Sequence, residues 1–344
     1  MTARRKRLLF SAIALLLFLG LIEAASWGLE ILLWGAPYPD GQPRGMYTIE
    51  LGRPTLNPGV ELPGLLVDVR INSWGFRDDE VVEPKPERAL RVWVVGGSTT
   101  FDIYSRDNAS AWPNLVEQRL QAALPERSVE VLNAGIPGDA LMGSIKELET
   151  WGERFDPDLV VLYHGPNDLR MQRVQEELQK GPPKLPPQPL LTRLALPRLL
   201  ARGSRPQAWT QGGTFLPEQH LSMAEQGLRD AIRLTRQLGA DPLLVTHPLR
   251  VVRASDGSLG HEMNELAQLL MLPPEESVKA FDAYNELVRG IAKRERIQLA
   301  EVAPAVDSSP ENWGDLTHFR RPGSEICAQV VSEALLESPR MQPD

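Results

Sequence analysis

The amino-acid sequence predicts an α/β domain, a central parallel sheet with helices on both faces, preceded by one long apolar helix. From Arg88 to Leu336, short β-branched apolar runs alternate with longer stretches of helical periodicity. The apolar runs stop abruptly at glycines or polar residues, as the strands of a parallel sheet buried on both faces do. Composition is that of an ordinary globular protein, 42% hydrophobic and 24% charged over 344 residues. That length accommodates one large domain with additional segments.

At the N-terminus, Arg4-Arg5-Lys6-Arg7 precede an apolar run from Leu8 to Ile22. Basic residues ahead of such a run place the N-terminus in the cytoplasm and the remainder outside. Spanning ~30 Å of hydrocarbon takes about 20 helical residues. The helix is therefore expected to continue past Glu23 toward Trp27, giving a cytoplasmic tail over 1–7 and an anchor over 8–28. Glu23 would lie near the outer interface, with Trp27 and Trp34 as belt residues. A cleaved signal peptide is the rival reading; a cut after Ser26 is tolerable, whereas a cut after Ala25 would place Glu23 three residues before it. No cysteine follows the apolar run, which excludes a lipoprotein.

Residues 29–87 read as an extension. Gly35 to Pro63 is rich in Pro and Gly without periodicity, the pattern of a stalk on the outer face. Val67 to Ile71 alternates apolar and charged residues, as an edge strand does. Asn72 to Arg77 is a turn packed on the domain, with Arg77 as a candidate substrate contact, and Glu83-Pro84-Lys85-Pro86 is a linker.

The core is expected over 88–338. Strands are predicted at Val92–Val95, Val129–Leu132, Asp158–Tyr163, Pro242–Thr246 and Ile297–Val302. Helices are predicted at Trp112–Leu124, Leu141–Phe155, Leu221–Leu238, Glu276–Arg294 and Pro322–Leu336, leaving 339–344 as a tail. Residues 171–217 break the rhythm with a Gly181-Pro182-Pro183 run and Gly212-Gly213. A loop this long is usually functional or disordered. It leaves the third strand's carboxyl end, as a lid, an acceptor-binding insertion or a passive excursion.

Several function classes are disfavoured. A net charge of -8 without a basic stripe beyond the N-terminus argues against nucleic acid. The single cysteine, Cys327, falls in an amphipathic helix as a packed thiol and permits neither an internal disulfide nor a cysteine-rich zinc site. The five histidines show no metal-binding pairing, and no metal or other cofactor is expected. Gly96 to Thr100 lacks the Gly-Lys-Ser/Thr ending of a phosphate loop.

In open α/β sheets ligands bind beyond the carboxyl ends of the strands. Ser98, directly after the first strand and Gly96-Gly97, is placed there as a nucleophile or as a helix-capping serine in a glycine turn. Acyl transfer also requires a base, a group that orients it, and donors for the oxyanion. Asp315-Leu316-Thr317-His318 supplies a carboxylate three residues before a histidine. Gly138 and Asn167 follow the second and third strands, so the N–H groups of Gly138 and Ser98 and the Asn167 amide are candidate donors to one oxygen.

These stretches resemble the SGNH, or GDSL-like, hydrolase family over about residues 70–338. Gly96-Gly97-Ser98-Thr99 matches the first block, Asn133 to Gly138 the second, Gly165-x-Asn167-Asp168 the third and Asp315-x-x-His318 the last. The Gly-Gly-Ser-Thr-Thr-Phe run is most similar to the bacterial membrane-anchored branch. The resemblance implies a flavodoxin-like three-layer α/β/α sandwich, with Ser98 as nucleophile, His318 as base, Asp315 as its orienter, and Gly138 and Asn167 as oxyanion donors. The activity expected is that of a serine esterase on carboxylic or O-acetyl esters, the substrate being an acylated glycan or an acylated small molecule. It would act on the periplasmic side of the inner membrane. The alternatives are an O-acetyltransferase for an envelope or exported polysaccharide, and a non-catalytic glycan-binding domain.

The sequence departs from the family pattern at Gly97, which replaces the aspartate of the Gly-Asp-Ser form. Asp102 stands where this branch often has glycine, which would make the entrance more acidic. His164 and His247, at the ends of the third and fourth strands, are candidate substrate contacts or satisfied structural histidines. His220 and His261 are expected at the surface, and Asp168 is expected to hold its loop.

Overall fold

Strand β1 (Leu90–Gly96) is buried along its whole length. It has a parallel neighbour on each edge and helices over each face, so its Val and Trp residues need not alternate with polar ones. In this computed structural model, which describes residues 2–35, 45–50, 53–170, 194–201 and 213–341, four further strands join it. They are β2 (Val129–Gly135), β3 (Leu159–Tyr163), β4 (Asp241–Val245) and β5 (Gln298–Ala300). The five-stranded sheet is parallel throughout, in the order β2-β1-β3-β4-β5. The chain therefore runs from β1 to one edge and crosses back over β1 to reach β3. Beyond the carboxyl ends of β1 and β3 lies the crevice such a reversal creates.

Helix α1 is Ala3–Trp34, and the sheet is sandwiched by α2 (Trp112–Ala123), α3 (Leu141–Phe155), α5 (Ser222–Gln237), α6 (Pro274–Glu295) and α7 (Arg321–Leu336). The short α4 is Ala195–Ala201. Alternate β1 residues feed the two layers, as the two-residue period of a strand requires. Trp93 and Val95 pack with Leu148 of α3, Leu228 of α5 and Tyr284 of α6. Val92 and Val94 pack with Trp112 and Val116 of α2 and Val331 of α7. Cys327 of α7 is buried in the second layer, where burial pushes its thiol pKa up.

Helix α1 extends beyond the expected boundary, as far as Trp34. Its length and hydropathy are sufficient to cross a membrane, a test that a signal sequence also passes. Glu23 accepts hydrogen bonds from the backbone amides of Ala195 (2.5 Å) and Leu196 (3.2 Å), the first residues of α4. A carboxylate there is favourable, because the first N–H groups of a helix lack internal partners.

The expected stalk takes a different form. Tyr47–Glu50 pairs antiparallel with Arg53–Leu56, and Glu61–Pro63 with Asp68–Arg70. The segment expected to be an edge strand is thus one arm of a separate hairpin. Met46, Leu56, Leu62 and Val69 each contribute one buried side chain to a cluster with Phe101 and Ile136, just past β1 and β2. Such isolated apolar residues create no periodicity in sequence, yet together they fasten the extension to the domain. The tip of the second hairpin meets the end of α1: Leu65 N–H donates to Leu32 (2.9 Å) and Leu66 N–H to Leu33 (2.8 Å). Gly35 ends α1 at φ +73, and a Cβ on it would lie 2.6 Å from the Leu62 carbonyl carbon. The two backbones touch there, which leaves no room for a side chain. Most of the expected 171–217 insertion, together with residues 36–44 of the stalk and 342–344 of the tail, lies outside the described residues.

Candidate active site

Beyond β1, Gly97 caps a four-residue helix, Ser98–Phe101. A Cβ on Gly97 would lie 2.8 Å from Asn167 Nδ2 and 3.1 Å from the Asp139 carbonyl oxygen, so the aspartate of the Gly-Asp-Ser form would not fit without a shift. The Ser98 hydroxyl lies 2.7 Å from His318 Nε2, although 220 residues separate the two in sequence. His318 belongs to a loop closed by the Trp313–Phe319 bridge and by a Gly314 N–H bond to the His318 carbonyl at 2.8 Å. Its Nδ1 is 2.9 and 2.8 Å from the two Asp315 oxygens. Asp315 Oδ1 also accepts the amides of Thr317 (2.8 Å) and His318 (2.9 Å).

Burial pushes the Asp315 carboxyl up. The charge and hydrogen bond of His318, with the two amides, outweigh it and hold the group at about 2. An ionised Asp315 accepts Nδ1–H and so leaves Nε2 as the acceptor facing Ser98.

Asn167 follows β3, and its Nδ2 donates to the Asp139 carbonyl at 2.7 Å. An amide nitrogen carries two hydrogens, so one remains. The backbone N–H groups of Ser98 and Gly138 donate to no group among the described residues. Ser98, Gly138, Asn167 and His318 line one cavity of about 250 Å³. His164 and Asp168 line it too. His164 is buried with its Nδ1 3.5 Å from Asp168, and its Nε2 has no partner among the described residues. Asp168 accepts the Leu141 amide at 2.8 Å through its other oxygen, so it ties the loop after β3 to α3.

Three candidate substrate contacts fall away from this cavity. Asp102 does not acidify the entrance: it is buried and accepts from Ser105 Oγ (2.6 Å), Ser324 Oγ (2.8 Å) and Trp112 N–H (3.0 Å). It joins the nucleophile loop to α2 and α7. Burial raises its pKa against those bonds. Arg77 is fully buried, and its guanidinium donates to the carbonyls of Phe101, Asp102, Ser105 and Asp107 at 2.7 to 2.9 Å. Burial lowers its pKa to about 10, against nearby Asp102 and Asp107, so it is charged at neutral pH. His247 faces the core rather than the crevice, stacked on Tyr163 with ring centroids 4.9 Å apart and with Nδ1 2.8 Å from the Pro248 carbonyl. Burial lowers its pKa to about 3, so it is neutral. His220, expected at the surface, is buried against Phe215, whereas His261 is exposed.

The cavity's other wall went unnoticed in the sequence. Met46, Tyr47, Leu62, Val67 and Val69 come from the two hairpins. The alternation in Val67 to Ile71 was the one available signal, and it pointed to a strand without saying which surface the strand would cover.

A parallel sheet with a serine, a histidine and an aspartate in hydrogen-bonded series beyond its strand ends is the architecture of the SGNH class of hydrolases. The chain belongs to the GDSL-like lipase/acylhydrolase family, whose model matches residues 94–326. No curated protein sequence matches it. Among solved structures it is similar to TesA, at 19% identity over 72% of this chain and 98% of that one, with a TM-score of 0.44. An acetyl xylan esterase from Geobacillus stearothermophilus matches at 18% identity over 72% and 94%, TM-score 0.42. LAE5, an alpha/beta hydrolase from the metagenome of Lake Arreo, matches at 17% over 72% and 94%, TM-score 0.43.

Proposed function

We propose that the chain is a serine ester hydrolase with Ser98 as nucleophile, His318 as general base and acid, and Asp315 as the group that orients and charge-stabilises the imidazole. The 2.7 Å approach of Ser98 Oγ to His318 Nε2 carries this reading. Ser98 Oγ attacks the ester carbonyl carbon while its proton passes to Nε2. The oxyanion is received by the N–H groups of Ser98 and Gly138 and by the remaining Asn167 amide hydrogen. Collapse breaks the bond to the leaving alcohol, which takes the proton from Nε2. Water then attacks the acyl-Ser98 ester and gives a proton to Nε2; the carboxylic acid departs and the proton returns to Ser98. A fluorophosphonate probe is expected to label the wild type, to leave Ser98→Ala unlabelled, and to react far more slowly with His318→Ala. Labelling that survives in Ser98→Ala overturns the assignment.

The hydrolase domain is taken as 88–338, on the extracytoplasmic side of the inner membrane. The basic residues 4–7 ahead of α1, and the length and hydropathy of that helix, support an anchor. An acylated glycan beyond the membrane is the substrate class this location favours. Alkaline phosphatase fused to the C-terminus, active only outside the cytoplasm, is expected to be active; an inactive fusion made in full length overturns the topology.

A further inference from the structure

We propose that the two N-terminal hairpins make the space beside Ser98 an acyl-chain subsite, so that the enzyme selects esters of medium-length acyl chains over acetyl esters. This deepens the esterase reading and rests on Ser98 as nucleophile.

The hairpins bring Met46, Leu62, Val67 and Val69 to the cavity, alongside Phe101 and Ile103 of the nucleophile's own loop. Among the described residues, Tyr47 is the one polar hairpin side chain that lines it. Met46, Leu62 and Val69 are buried in a common cluster with Phe101, so this wall is packed in place. The first hairpin also reaches the oxyanion side, where Pro54 Cγ lies 3.8 Å from the position a Cβ on Gly138 would take. A sugar hydroxyl pressed against these aliphatic side chains would lose its water and find few partners, whereas a methylene loses nothing. All the hairpin residues precede residue 94, where the family match begins.

Volume sets the chain length. An apolar cavity of about 150 Å³ holds the carbons of benzene. The cavity here is about 250 Å³. Scaling by volume gives room for about ten non-hydrogen atoms, of which the ester group takes about three. The remainder corresponds to an acyl group of about six to eight carbons in all. An acetyl methyl would leave most of the cavity unfilled.

The test uses the full chain in detergent micelles with 4-nitrophenyl esters from acetate to dodecanoate, and a small ethyl fluorophosphonate to count active sites. We expect kcat/KM to rise about fourfold per added methylene until the cavity is filled, near hexanoate to octanoate, and then to fall. Val69→Trp and Leu62→Trp, which occupy the cavity, are expected to lower the octanoate-to-acetate ratio at least tenfold. Leu62→Ala is expected to move the optimum toward longer chains. A wild-type optimum at acetate with Ser98 fully labelled overturns the subsite and leaves the esterase intact. So does a chain-length profile that Val69→Trp and Leu62→Trp leave unmoved while labelling is retained. Absence of both labelling and hydrolysis with every ester overturns the esterase reading itself.

Discussion

The two walls of the cavity are built by different means. One comes from the carboxyl ends of β1, β2 and β3 and from the Asp315–His318 loop, where each side chain is set by the strand or turn immediately beside it. The other comes from two short hairpins with little regular structure, held by single apolar contacts and by a seam of buried polar groups. At that seam Arg77 grips the Phe101–Asp107 loop, and Asp78 accepts the Asn133 amide at 2.9 Å and the Asn114 side-chain amide at 2.9 Å. In the proposed reading the first wall carries the chemistry and the second selects what that chemistry is applied to.

Experiments can separate the walls by what they change. The largest effect is expected from Asp315→Asn, which lowers kcat about 10⁴-fold because the imidazole loses its orienting carboxylate. Steady-state hydrolysis of a 4-nitrophenyl ester at pH 8 reads it. The same substitution carries a stability signature. Asp315 is held at about 2, below its ordinary 3.8. Its contribution is therefore complete above about pH 4 and is lost as pH falls through about 2. The wild type is expected to lose Tm over that window more steeply than Asp315→Asn.

Next comes the seam. Arg77→Ala leaves buried carbonyls without donors and is expected to destabilise the protein by about 3–5 kcal/mol, measured by denaturant unfolding. Arg77→Lys restores little of this, since one ammonium cannot reach four carbonyls in a fork. A raised KM with unchanged stability would instead place Arg77 on the substrate. Asn167→Ala removes one oxyanion donor and is expected to lower kcat about 10²- to 10³-fold with little change in unfolding.

The last effect is read in pH dependence and concerns Asp78. Burial raises its carboxyl to about 8 despite the amides that donate to it. A pKa raised by folding means stability that is fully present below about pH 4 and is lost as pH rises through about 8. Asp78→Asn is expected to flatten the fall in unfolding free energy between those limits.

The same division explains what could be read from the sequence. β1 and β3 announce themselves as apolar, β-branched runs, because a strand covered on both faces needs no polar alternation; β5, Gln-Leu-Ala, has no β-branched residue and is placed only by the alternation around it. Ser98 and Asn167 are legible because each follows a strand whose end is visible, and His318 because Asp315 stands three residues before it. The pairing of Tyr47–Glu50 with Arg53–Leu56 is not legible: four-residue strands among prolines and glycines have no period, and their apolar partners Phe101 and Ile136 lie far along the chain. Asp102, His247 and Arg77 were misplaced for a related reason. Chain position puts them near the crevice, but which way each side chain turns depends on distant groups such as Ser324, Tyr163 and the Ser105 carbonyl.

The joint between the hairpin tip and the last turn of α1 ties the apolar helix to a wall of the cavity. Deleting the first thirty-five residues to obtain a more tractable enzyme would strip Leu65 and Leu66 of the carbonyls their amides now meet. It would also loosen the loop bounded by Leu62 and Val67, two of the side chains that shape the cavity. A trimmed protein should therefore hydrolyse esters with a blunted taste for chain length, and a substrate profile measured on it would belong to the fragment rather than to the whole molecule.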